Sequence, residues 1–236
     1  MLDSWWDAIQ DAVDTYRAEP TSWVVLATGA AALLAVVVDG VWRRARNVVT
    51  IVHEGGHAVT ALLTGRRLTG IRLHSDTSGL TLSVGKPRGP GMVATAAAGY
   101  LSPSLVGLVG VGLLAIDQVT VMLWAATVVL AGMLVMVRNW YGALTLVVTG
   151  SAVVAVSLLA EPEVQAAFGY AMTWFLLLGG VRPVAELQRQ RRRQPGAPTD
   201  ADHLAYLTRV PAAAWVALFG LVTVGSLVAG TWLLLA

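Results

Sequence analysis

The amino-acid sequence predicts an all-α polytopic membrane protein, with about six spanning helices, a membrane-embedded helix carrying paired histidines, and a small β-hairpin. Composition and segmentation lead there. Apolar residues fill 56% of the 236 positions and charged residues only 13%, against about 25% charged in soluble domains. The mean hydropathy is +0.67. The apolar residues are gathered into runs that suit a bilayer, where each span needs about 20 of them. A water-soluble fold of this composition would leave its apolar excess in solvent.

The first element, 1–20, places Trp5, Ile9, Ala12, Val13 and Tyr16 at helical spacing opposite Asp7, Asp11 and Asp14. That pattern predicts a short interfacial helix, since Trp favours the membrane boundary; a solvated helix packed on the domain fits it equally. The stretch is acidic and lacks the basic leader of a signal peptide. The remainder, 21–236, reads as one integral-membrane domain. Its apolar segments are 22–42, 92–116, 119–137, 142–160, 164–184 and 210–235. The histidine helix covers 47–64. Region 66–88 is rich in Gly, Ser and Thr, and two alternating runs around Asp76-Thr77-Ser78-Gly79 predict a hairpin. The basic, Pro-containing 188–199 is expected to be a cytosolic loop.

Basic residues mark the cytosolic ends of spans. Arg43, Arg44 and Arg46, the hairpin basics Arg66, Arg67, Arg72, Lys86 and Arg88, then Arg138, and Arg189 to Arg193 all fall on one side if the six long segments cross. The loops with Asp117, Glu161 and Glu163 then fall on the other. This requires the histidine helix and hairpin to make no net crossing, as in a re-entrant unit open to the cytosol.

With no cysteine in the chain, disulfides, thiolate metal sites and cysteine nucleophiles are excluded, so a metal must be held by His, Asp or Glu. In His53-Glu54-Gly55-Gly56-His57 the imidazoles stand one helical turn apart and point from one face at the same place. Paired imidazoles suit Zn²⁺, and a third ligand with an open position makes a catalytic site. Glu54 is placed as general base beside such an ion. An ionised Glu within an apolar helix is costly without a function, although a polar cluster bonding neighbouring helices is the plain alternative. Gly55 and Gly56 weaken the helix by about 1 kcal/mol each relative to Ala, which suits close approach of another backbone.

Here the sequence resembles the site-2 protease family of intramembrane zinc metalloproteases, above all its compact bacterial branch without a PDZ domain. Besides the histidine motif, the resemblance rests on Gly79-Leu80-Thr81, Ala98-Gly99-Tyr100-Leu101-Ser102-Pro103, Arg138-Asn139 and Asp200-Ala201-Asp202-His203-Leu204-Ala205. It spans about 47–219. It implies a zinc cofactor, transmembrane protein substrates, a bacterial cell membrane with the site toward the cytosol, and a downstream Asp as third ligand. The Asn-Pro…Leu-Asp-Gly context usual for that Asp is absent.

The candidates for the third ligand are His74, Asp76, Asp200, Asp202 and His203. Asp200 and Asp202 are about 200° apart on a helix, so one of them at most faces the ion. Asp200 best matches the compact branch, with Asp202 as the alternative. Thr199-Asp200-Ala201-Asp202 also reads as a capping box. Asn139 is a candidate substrate contact or simply a helix end. Gly107, Gly110 and Gly112 suit helix packing, and Trp42, Trp140 and Trp215 suit interfacial anchoring.

The expected function is a zinc-dependent intramembrane endopeptidase working in the lipid bilayer on transmembrane protein substrates, with no nucleic-acid partner. A non-catalytic metal-binding membrane protein or scaffold is the alternative. A metal transporter is disfavoured, because no other span carries histidines or carboxylates for a path. The oligomeric state is not encoded legibly.

Overall fold

A computed structural model describes residues 22–193 and 199–236; the interfacial helix expected at 1–20 lies outside them. The chain runs α1 (Ser22–Val37), α2 (Asp39–Leu63), β1 (Arg67–Leu73), β2 (Gly79–Val84), α3 (Pro90–Ala115), α4 (Val119–Met136), α5 (Trp140–Leu159), α6 (Pro162–Arg193), α7 (Asp200–Thr208) and α8 (Ala212–Leu235). Helices α3, α4, α5, α6 and α8 are long and apolar enough to cross a membrane, and α1 with α2 makes a sixth candidate bent by 103°. Only 17% of the apolar windows of α4 and α5, and 22% of that of α8, is buried inside the protein. Leu221, Val228, Val128 and Val135 are among the side chains this leaves outward. Lipid is the medium in which such a surface is stable.

The first span differs from expectation. A single helix over 22–42 is replaced by a break at Val38, whose φ of −78° and ψ of 109° are extended. Residues 39–42 join the histidine helix, which therefore begins at Asp39 and not at Asn47. Val36, Val37 and Val38 are β-branched and weaken the helix locally. Arg182 from α6 then donates to the Val36 and Val37 carbonyls that the break leaves without partners, and it pairs with Asp39. Trp42, expected as an interfacial anchor, is only 1% exposed. Its indole donates to Glu186 at 3.0 Å, and the guanidinium groups of Arg46 and Arg182 lie over its ring. Trp140, by contrast, is exposed, and Trp215 donates to Thr208 Oγ1.

Helix α2 is anchored at both ends, to α6 and to the start of α3. Its first turn is tied to Arg182, and Thr64 just after its last turn packs on Gly91 at the start of α3. The hairpin packs along α2 and against the end of α4. β1 and β2 pair antiparallel from Arg67↔Val84 to Leu73↔Gly79, with a bulge between Leu68 and Gly70. The other edge of β1 is already covered: Ile71 bridges Val137, and the Arg138 amide donates to the Ile71 carbonyl at 2.8 Å. The open edge of the hairpin is thus that of β2.

Three buried clusters hold this arrangement. Val25, Ala32, Trp42, Trp174 and Phe175 join α1 and α2 to α6. Ile51, Ala58, Ile71, Leu73, Met133 and Leu146 seat the hairpin between α2, α4 and α5. Ala96, Ala97, Val184, Ala201, Leu204 and Phe219 lock the short α7 among α3, α6 and α8. Gly107 and Gly110 lie against Leu177 and Thr173 of α6, where a Cβ would meet them at 2.9 Å and 2.6 Å, whereas Gly112 has open space. The 188–199 connection is shorter than expected, because α6 continues to Arg193. Arg191 is held there by Asp202 at 3.2 Å.

Candidate metal centre

The i, i+4 spacing on α2 brings His53 Nε2 and His57 Nε2 to 3.1 Å. His57 Nδ1 lies 2.7 Å from the Thr95 carbonyl of α3. A carbonyl only accepts, so Nδ1 carries the proton and donates, leaving the Nε2 lone pair to point at the centre. This orienting contact is the kind that metal-bound histidines make. From the opposite side α7 delivers Asp200, whose Oδ2 is 3.8 Å from His53 Nε2. One ligand atom each from His53, His57 and Asp200 lies within 4.8 Å of the others. Zn–N and Zn–O bonds of about 2.0–2.1 Å set ligand pairs about 3.3 Å apart in a tetrahedron. Two neutral imidazole nitrogens and a carboxylate at these separations fit a zinc ion.

Asp200 points inward because its neighbours do not allow otherwise. Ala201 and Leu204 are buried, which fixes the roll of α7. Thr199 and Asp202 form a reciprocal capping box at its start, and Asp202 also pairs with Arg191. Asp202 is thus engaged away from the histidines. Burial pushes the Asp200 carboxyl up, but the attraction of His53, 3.8 Å away, and of His57 and His203 outweighs this, holding it below the usual carboxylate range.

Glu54 is 3% exposed and lies between α2 and the start of β2. Thr81 Oγ1 donates to its Oε2 at 2.6 Å. A Cβ at Gly79 would meet Glu54 Cγ at 2.5 Å, so only glycine lets the strand pass so near. The histidines, Glu54 and Asp200 share a cavity of about 400 Å³ with Tyr100, His203 and the β2 residues Gly79, Leu80 and Thr81. Tyr100 meets the His53 ring edge-on, with centroids 4.9 Å apart, and stacks on Phe219.

The remaining candidates lie elsewhere. Asp76 accepts from the amide and hydroxyl of Ser78 in the hairpin turn, and His74 Nδ1 is 3.3 Å from that hydroxyl. Asn139 bonds β1 instead of standing open: Nδ2 donates to the Leu73 carbonyl at 2.6 Å, and Oδ1 accepts from the Leu73 amide at 3.2 Å. Sequence reasoning singled out Gly79-Leu80-Thr81 without giving Thr81 a role, and it missed the Thr95 carbonyl. Nothing local marks the contacts they make, because both act across long separations.

Comparison with known proteins agrees with this geometry. A family model described as Peptidase M50B-like matches residues 26–230. No curated protein and no solved structure matches. The match takes in α2 to α7 with the hairpin, and most of α1 and α8. The chain is an integral membrane protein that belongs to the Peptidase M50B-like family, and so to the membrane metallopeptidases related to the site-2 proteases.

Proposed function

We propose that this protein is a zinc-dependent intramembrane endopeptidase that hydrolyses peptide bonds in transmembrane protein substrates. The observation that carries the proposal is the convergence of His53, His57 and Asp200 within 4.8 Å, beside a carboxylate that Thr81 orients. His53, His57 and Asp200 would hold the ion. Zinc bound there supplies a Lewis acid that polarises a carbonyl and lowers the pKa of a bound water to about 7.

The chain's own groups do the rest. Glu54 takes a proton from the attacking water and passes it to the departing amine. Its burial strengthens these transfers, because few waters compete for the carboxylate. Thr81 holds the Oε2 oxygen, and Oε1 lies against Gly79, which lines the cavity. A substrate segment, unwound from its helix, adds as a strand along the open edge of β2. That edge runs through Gly79 and Thr81, directly beside Glu54. Asn139 serves this step indirectly, by pinning β1 and with it the hairpin.

The basic residues near the ends of the spans support a cytosolic placement of the site. Arg46 pairs with Glu186 and lines the cavity of the histidines, Arg138 bonds the hairpin at Ile71, and Arg191 pairs with Asp202 on the helix that carries Asp200. Positive residues gather on the cytosolic side of membrane proteins.

Replacing Glu54 by Gln tests the reading. In proteoliposomes containing a labelled transmembrane peptide, cleavage should fall by about 10²–10⁴, while bound zinc stays near one per chain. Undiminished cleavage would remove Glu54 from the chemistry. Zinc binding with no hydrolysis by the wild type, across varied substrates, would favour a non-catalytic metal protein.

A further inference from the structure

We infer that Gly99 is a positioning residue that keeps the metal position open, so that any side chain at 99 excludes the ion. The inference rests on the zinc reading above. Gly99 is buried within α3. A Cβ built there would stand 2.5 Å from His53 Nε2 and 2.6 Å from His57 Cε1, and closer still to His57 Nε2. Those distances are little more than a Zn–N bond of about 2.0–2.1 Å. A methyl group would therefore press on both lone-pair nitrogens at once, in the space that the ion and its open position need.

The other uses of a helical glycine do not apply. Gly99 has an ordinary helical backbone, so no left-handed conformation calls for it. In a helix interior it is unfavourable by about 1 kcal/mol relative to Ala. Close packing of α2 on α3 is carried by a different glycine: at Gly56 a Cβ would meet Ser102 Cβ at 2.6 Å and the Ala98 backbone carbonyl at 3.0 Å. At Gly99 the three nearest atoms all belong to the imidazole rings and none to backbone. Rings can swing aside. The expected result of adding a Cβ is thus a folded protein whose histidines are turned away from each other and from Asp200.

The test uses the full chain in detergent micelles, titrated with zinc against a competing chelator. Gly99→Ala should lose about 10–100-fold in zinc affinity, the range for disturbing the support of metal ligands. Gly112→Ala, on the same helix with nothing within 4 Å of its Cβ, should bind as the wild type does. Wild-type affinity in Gly99→Ala would overturn the inference while leaving the zinc reading intact. Absence of zinc from the wild type would sink that reading instead.

A second measurement covers the case in which Gly99→Ala folds poorly. The substitution is repeated in a His53→Ala/His57→Ala background, and melting temperatures are compared as a double-mutant cycle. A clash with the rings disappears when the rings are gone, so Gly99→Ala should not lower the melting temperature of that background, and the helix preference for Ala over Gly should raise it. An equal loss of stability in both backgrounds would mean helix packing, and would overturn the inference.

Discussion

Thr81 Oγ1 donates to Glu54 Oε2 at 2.6 Å, which ties the open strand of the hairpin to the buried carboxylate of α2. The strand proposed to receive substrate thus also orients the proposed base. Thr81→Val keeps the shape and removes the donor. It should lower kcat about 10-fold or more while leaving zinc content unchanged, the usual scale for an outer-shell partner. Thr81→Ser should restore most of the rate. Equal rates for Val and wild type, measured on one transmembrane peptide, would mean that the hydroxyl does not position Glu54.

Asp200 and Asp202 separate cleanly by their partners. Asp200→Ala should reduce zinc affinity by about 100-fold or more, as expected for loss of a ligand supported by a fixed shell. Asp202→Ala should keep zinc and cost about 1 kcal/mol of stability through the lost cap. Parallel zinc titrations decide, and the reverse ranking would move the ligand to Asp202. The lowered Asp200 pKa adds a pH signature for the metal-free protein. A carboxyl held down in the folded state stabilises it above the ordinary value, about 3.9, and that contribution is lost as pH falls through the lower folded value. Asp200→Asn should flatten that part of the acid transition.

Asn139 pins Leu73 through both its carbonyl and its amide. Asn139→Ala leaves those strand groups without partners and should cost about 1–3 kcal/mol. The loss should appear locally, as faster hydrogen exchange at Leu73 and Ile71, with KM rising more than kcat falls. Unchanged exchange in β1 would show that the buried Ile71 and Leu73 side chains hold the hairpin alone.

The absence of cysteine makes the chain suited to single-cysteine accessibility mapping. Arg44→Cys, Arg88→Cys and Arg192→Cys should all label from the same face of sealed vesicles, and Glu163→Cys from the other. Arg44 and Arg88 on opposite faces would mean that α2 crosses the bilayer, contrary to the re-entrant reading.

The parts of this molecule legible in the sequence are those set by local periodicity. His53 and His57 share a face because of helical pitch, and the hairpin follows from alternation on either side of the Asp76–Gly79 turn. The break at Val38 is not legible, because three valines inside an apolar run look like a continuing span. What fixes the break is Arg182, distant in sequence. The continuation of α6 to Arg193 hides behind a Gln/Arg run that resembles a solvated loop. Those residues are nonetheless good helix formers, and Arg191 finds Asp202. The choice of Asp200 over Asp202 is half legible: Thr199 and Asp202 announce a cap, but the inward aim of Asp200 depends on Ala201 and Leu204 meeting Ala96, Ala97 and Phe219. Trp42 shows the same limit, since its burial depends on Glu186 and two arginines that converge only in the fold.

Anomalous scattering at the zinc edge from crystals of the Glu54→Gln protein tests the central claim most directly. One zinc peak bonded to His53 Nε2, His57 Nε2 and an Asp200 carboxylate oxygen is the predicted result. A fully zinc-loaded protein with the ion held elsewhere, or with Asp200 turned away from it, would contradict the account.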